Sequence, residues 1–196
     1  MTTSRKPSNH IVNIDRLPER YPTHAHTEGF WTELGRAVAT FGFLEEMLGK
    51  AIFALSATRE YAQDDLDAAY EKWLPLLVKA VSDPLGSLID EYGKVARDHT
   101  KPLIENFEDL IEDLKQAKRL RDVICHGSWR MPDQSGRSLP LFVNRKGEIF
   151  ETPVDAEFLA QLQRNVAELS CLVVNSVTHS GWQFPGSGGP GNPVWR

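Results

Sequence analysis

The chain has 196 residues, 41% of them hydrophobic and 25% charged, with a formal net charge of −5. That balance fits one soluble globular domain with a proper core. Two cysteines, Cys125 and Cys171, are too few for a disulfide scaffold or a zinc ribbon. No apolar run approaches the roughly 18 residues of a membrane span, and Met1-Thr-Thr-Ser-Arg-Lys-Pro has no apolar stretch after its basic residues. The expectation is a reduced, cytoplasmic protein with no membrane partner.

Residues 1–26 hold mixed charge and no sustained period, and read as an arm that docks loosely or not at all. Trp31, Leu34, Val38, Phe41, Leu44, Leu48, Ile52 and Leu55 recur at spacings of three and four, drawing one apolar stripe down a long helix from Thr27-Glu28 to Ser56–Arg59. A second helix is expected over about 64–81, with Leu66, Ala69, Tyr70, Trp73, Leu76 and Leu77 inward. Ser82-Asp-Pro starts a short third one through Leu85, Leu88, Ile89, Tyr92 and Val95, since proline is tolerated in a first turn. Thr100-Lys-Pro starts a helix over about 102–125 with Leu103, Phe107, Leu110, Leu114 and Ala117 on its stripe, which continues through Arg121 to Cys125. Gly127 follows as a left-handed stop. Leu139-Pro-Leu-Phe-Val and Glu148-Ile-Phe-Glu-Thr, separated by Asn144-Arg-Lys-Gly, predict a β-hairpin inserted at about 129–152. Asp155 caps a last long helix with Phe158, Leu162, Val166, Leu169, Val173 and Val177 on one side. The Pro/Gly-rich segment from Gln183 predicts a mobile tail. The fold class is therefore mainly α: a bundle of four to five helices spanning 27–180, a hairpin before the last, and a tail over 181–196.

Charge is unevenly spread. The window from Lys115 to Lys146 carries eight basic residues against two acids, a formal +6 that leaves −11 on the rest of the chain. Such a zone can hold a phosphate without binding polyanions everywhere, although charge clusters are commonly only solvated surface. Within it, Arg121 falls about 20° around the helix from Leu114, at the centre of the apolar stripe. A guanidinium cannot shed its proton to fit there. Either this face opens into a groove, or a carboxylate meets the arginine. Of Glu45 and Glu46 midway along the first helix, one faces near the stripe and could do so across the bundle, with Glu45 the candidate, although glutamates there are commonly solvated. Asp122 and His126, four residues apart, stack on one edge. The spacing reads either as a set that could bind and cleave a phosphodiester or, more commonly, as an Arg–Asp surface pair with a capping histidine. Cys125 is read as packing rather than as a nucleophile beside His126, because adjacent helical side chains diverge by about 100°. Trp129 and Arg130 either stack a base or form a hydrophobic lid. The histidines His10, His24 and His26 lack supporting cysteines or carboxylates for a closed metal site, so no metal and no cofactor is expected.

Arg121-Asp-Val-Ile-Cys-His126-Gly127 resembles the R-x(4–6)-H motif of HEPN domains, in which a polar residue commonly follows the arginine. The setting is similar too: the motif ends one long helix, another follows, and a hairpin separates them. Trp31, Leu34-Gly35, Phe41 and Leu44-Glu45 also resemble the first helix of bacterial branches, so the likeness covers about 28–180. The resemblance implies a homodimer that brings two such motifs to one cleft, and metal-independent cleavage of RNA, as in toxins and antiphage effectors. It implies that Arg121 holds the scissile phosphate, that His126 moves the proton and that Asp122 orients one of them. Lys118, Trp129 and Arg130 would bind substrate. A catalytically silent HEPN-like module that binds RNA, a nucleotide or a protein partner is the other reading, and an antitoxin or regulatory protein is a conceivable partner of either.

Overall fold

The computed structural model describes residues 11–59, 84–101 and 104–194. Four α-helices form a bundle in this part: α1 (Glu28–Ala57), α2 (Leu85–Arg97), α3 (Phe107–His126) and α4 (Ala156–His179). The expected helix over 64–81 lies outside the described residues, as do Ser82 and Asp83 of the expected start signal.

Two of the helices begin where side-chain chemistry says they should. The Thr27 hydroxyl accepts from the Phe30 N–H at 3.2 Å, and the Asp155 carboxylate accepts from the Phe158 N–H at 2.8 Å, each satisfying a donor that the first turn leaves open. Along α1 the buried seam is Phe30, Leu34, Ala37, Phe41, Leu44 and Leu48, continuing through Ile52 and Leu55. Trp31 and Val38, expected on that seam, sit at its edge, with Val38 exposed, because Phe30 and Ala37 take the inward positions in the first turns. α1 runs through the middle of the bundle: its largest interface is with α4, and it also touches α2 and α3. α2 buries Leu85, Leu88, Ile89, Tyr92 and Val95 as the spacing predicts. Its Tyr92 hydroxyl donates to Ser176 Oγ of α4 at 2.7 Å, a polar tie between two helices inside the core.

α3 departs from expectation at both ends. It starts at Phe107, after Asn106 in a left-handed conformation (φ 59°), rather than near Thr100-Lys-Pro; asparagine is among the few residues that tolerate this. At the other end Gly127 is extended (φ −69°, ψ 138°), not left-handed. Glycine is required there for a different reason. A Cβ would stand 2.5 Å from the Val123 carbonyl oxygen and 3.0 Å from Pro140 Cβ, so the chain leaves the helix in close contact with its last turn.

The segment between α3 and α4 differs from the expected hairpin. Among the described residues it forms no strand, only isolated antiparallel bridges at Ser128–Leu141, Ser138–Val154 and Val143–Ile149. The expected turn is present, since the Asn144 side chain accepts from the Lys146 and Glu148 N–H groups and Gly147 has a φ of 82°. Pro132, Pro140 and Pro153 each remove a ladder donor, which explains why pairing stays local.

The tail also departs from expectation. Phe184 is 6% exposed and belongs to the core, with Trp182 and Val194 packed against it. The Gln183 N–H donates to the Asn192 carbonyl and the Asn192 N–H to the Gly181 carbonyl, closing the Pro/Gly segment into a loop. Gly191 (φ 110°) permits it, because any Cβ there would collide with the Trp182 backbone at 2.4 Å. Trp195 and Arg196 lie outside the described residues. The arm from 11 to 24 is mostly exposed and is anchored near its end, where the Trp31 indole donates to the Thr23 carbonyl at 2.9 Å. Among the described residues no helix is long and apolar enough to cross a membrane.

Candidate functional site

The last turns of α3 face a cleft of about 1160 Å³. One wall is α3 itself, with Lys118, Arg121, Asp122 and His126. Glu45 of α1 and the start of α2 at Pro84, Gly86 and Ser87 close one side, and the turn segment from Phe142 to Phe150 forms the opposite wall. The arginine that the apolar period places at the stripe centre therefore opens into a groove.

Arg121 is neither sealed nor free. Its side chain is 29% exposed; Nη2 lies 3.7 Å from Glu45 Oε1 and Nη1 lies 3.8 Å from Asp122 Oδ1. Both separations exceed hydrogen-bond reach, so the guanidinium sits in an acidic neighbourhood with its N–H donors available. Asp122 makes its short contact elsewhere: Lys118 Nζ donates to Asp122 Oδ2 at 2.6 Å, the (i, i+4) geometry that a helix offers. Lys118, Asp122 and Arg121 thus form a chain of alternating charge along one helix face.

His126 is exposed at the end of α3 and lines the same cleft. Among the described residues it has no hydrogen-bond or ion-pair partner, so Asp122, although one turn away, does not orient its ring. The dipole at a helix C-terminus is the fixed field that acts on it. Cys125, expected to pack, is exposed; Val123 and Ile124 take the buried positions because the stripe drifts round the helix in its last turn. Partial burial pushes its thiol up, against the pull of Arg121.

Two expected substrate contacts fall elsewhere. Trp129 does not line the cleft: its ring packs edge-on to Phe30 at 5.0 Å and to His26 at 6.4 Å, in an aromatic cluster that ties the arm to α1. The His26 imidazole, stacked on Phe30 at 4.4 Å, is held below its usual range by desolvation. Arg130 is exposed and outside the cleft as well. What the sequence reading missed lies on the turn wall. Phe142, Arg145, Lys146 and Phe150 line the cleft opposite α3; the apolar runs Leu139-Pro-Leu-Phe-Val and Ile149-Phe150 marked this segment but not which side chains belong to the cleft. In all, the cleft has five cationic residues (Lys118, Arg119, Arg121, Arg145, Lys146) against four carboxylates (Glu45, Asp90, Asp122, Glu148). Asp122 is engaged by Lys118, and Glu148 accepts from Asn144 at 2.6 Å. No family model, curated protein or solved structure matches the chain.

Proposed function

We propose that this protein is a HEPN-like endoribonuclease whose chemistry needs no metal. The observation that carries the reading is that a half-buried arginine, held only in long ion pairs with Glu45 and Asp122 at 3.7 and 3.8 Å, and an exposed histidine line one open cleft. Arg121 would bind two oxygens of the scissile phosphate and offset the charge that builds there in the transition state. His126 would take the proton of the neighbouring 2′-hydroxyl as its oxygen attacks phosphorus. The bond from phosphorus to the 5′ oxygen breaks, a proton goes to that oxygen, and the products are a 2′,3′-cyclic phosphate and a 5′-hydroxyl. Asp122 is a positioning residue in this scheme, holding Lys118 beside Arg121 rather than orienting the imidazole. Two copies joined as a homodimer would bring a second Arg121 and His126 to the reacting phosphate, supplying a base and an acid from different subunits. An antitoxin or other regulatory protein would act by covering the cleft.

The acidic side of the cleft favours a second reading. Glu45 stands opposite the guanidinium and competes with any phosphate, as it would in a silent module that binds RNA, a nucleotide or a protein partner without cutting. Incubation of a mixed RNA pool with the protein in excess chelator separates the two. The nuclease leaves cyclic-phosphate ends on RNA and spares DNA, whereas an RNA pool that stays intact supports the binding module.

A further inference from the structure

The turn wall of the cleft carries two aromatic side chains that the catalytic proposal does not use. Val143 and Ile149 form an antiparallel bridge, so Phe142 and Phe150 stand directly opposite one another, and the Phe150 N–H donates to the Phe142 carbonyl at 3.1 Å. Side chains of directly opposed residues share a face and lie about 5 Å apart at Cβ. Both residues are half-buried and both line the cleft. Neither ring stacks on another aromatic ring among the described residues; Phe150 packs against the hydrophobic core, as Trp129 does within its cluster, and Phe142 does not. Three cations of the cleft are also unengaged: Arg145 and Lys146 on the same turn segment, and Arg119 on α3, have no carboxylate within ion-pair distance among the described residues. An apolar floor of unstacked rings rimmed by unpaired cations matches a nucleotide, which presents a flat base and an anionic phosphate at once. An aliphatic peptide would leave those cations unmatched.

We propose that Phe142, backed by Phe150, is a stacking platform for one unpaired base of a single-stranded nucleic acid, with Arg145 and Lys146 holding its flanking phosphate. This deepens the nucleic-acid reading of the cleft and rests on it, but it assigns recognition to the turn wall rather than to Trp129. Stacking accepts any base, so the subsite sets strandedness more than sequence.

The test separates base from backbone. Fluorescence anisotropy at low salt compares a deoxyadenylate hexamer with an abasic hexamer of equal length and charge, neither of which can be cleaved through a 2′-hydroxyl. Wild type is expected to hold the base-bearing hexamer about ten-fold more tightly. Phe142→Leu brings the ratio close to one while abasic binding persists, which also reports that the variant is folded. Phe142→Trp keeps the ratio and adds tryptophan emission that the base-bearing hexamer quenches and the abasic one does not. Equal wild-type affinity for the two hexamers, or an unchanged ratio in Phe142→Leu, overturns the platform and leaves the nucleic-acid reading standing. Failure to bind either hexamer overturns the platform, and the nucleic-acid reading falls with it only if a single-stranded RNA is neither bound nor cut.

Discussion

Glu45→Gln isolates the charge that faces the candidate phosphate site. Glu45 Oε1 and Arg121 Nη2 are 3.7 Å apart, and each side chain is 29% exposed. Two unit charges at that separation attract by about 1 kcal/mol in the dielectric of water, the limit suited to side chains open to a cleft. A phosphate arriving at Arg121 loses that attraction and meets the carboxylate's repulsion. Removing the charge while keeping the shape should tighten binding of an uncleavable oligonucleotide about five-fold, since about 1.4 kcal/mol is a factor of ten. The gain should shrink when salt is raised. Anisotropy titrations of wild type and Glu45→Gln at two salt concentrations, with thermal unfolding as a check on the fold, measure it. Weaker binding by Glu45→Gln would refute the reasoning, because it would mean that the carboxylate holds Arg121 in place rather than competing for it.

Other expectations concern the frame. Burial pushes the Tyr92 phenol up to about 12 from 10.0. A folded value above the unfolded one gives stability that is full below pH 10.0 and is lost as pH rises through about 12, about 2–3 kcal/mol in all. Tyr92→Phe should cost about 1 kcal/mol at neutral pH, and its deficit in urea unfolding should shrink above pH 10; a constant deficit contradicts this. At the α1–α2 corner, buried His99 contacts Thr58 Oγ1 through Nε2 at 3.1 Å and accepts the Lys101 N–H at Nδ1. Because the Thr58 hydroxyl already donates to the Ala54 carbonyl, the ring is neutral with its proton on Nε2. Burial, with Lys101 and Arg59 nearby, keeps its pKa below 6.5. Its contribution is therefore complete above pH 6.5 and falls away as pH drops below that value, so His99→Gln should be less pH-sensitive than wild type between pH 7 and pH 5 in denaturant titrations. Parallel curves would dispose of that expectation. Phe184→Ala should lose about 3 kcal/mol and lower the unfolding temperature, whereas a tail that only drifts in solvent would leave it unchanged.

The sequence made the helices legible where one physical signal dominates. The period of α2 and α4, and the caps Thr27 and Asp155, place elements to within a residue or so. For Arg121 an open groove or a facing carboxylate were the two readable solutions, because an arginine on an apolar stripe has few others; the structure has both, a cleft and Glu45 at 3.7 Å. Features set by contacts distant in sequence were not legible. Gly127 is needed because Pro140 and the Val123 carbonyl crowd it, not because of its own torsion. Phe184 is buried because Gly191 lets the tail fold back, which composition alone reads as slack chain. Trp129, prominent beside the motif, is claimed by Phe30 and His26, residues about a hundred positions earlier. The turn segment has the two apolar runs and the Asn-Arg-Lys-Gly turn of a hairpin, but its prolines confine pairing to single bridges, and the shared face of Phe142 and Phe150 emerges only once that register is fixed.

The central claim is that Arg121 and His126 act together on a phosphodiester. Single-turnover cleavage of a labelled single-stranded RNA in chelator, by wild type, Arg121→Ala and His126→Ala at matched fold stability, tests it most directly. The account predicts cleavage by wild type and a loss of at least about a hundred-fold in the His126 variant, with Arg121→Ala impaired as severely. Wild-type cleavage that survives undiminished in His126→Ala would contradict it.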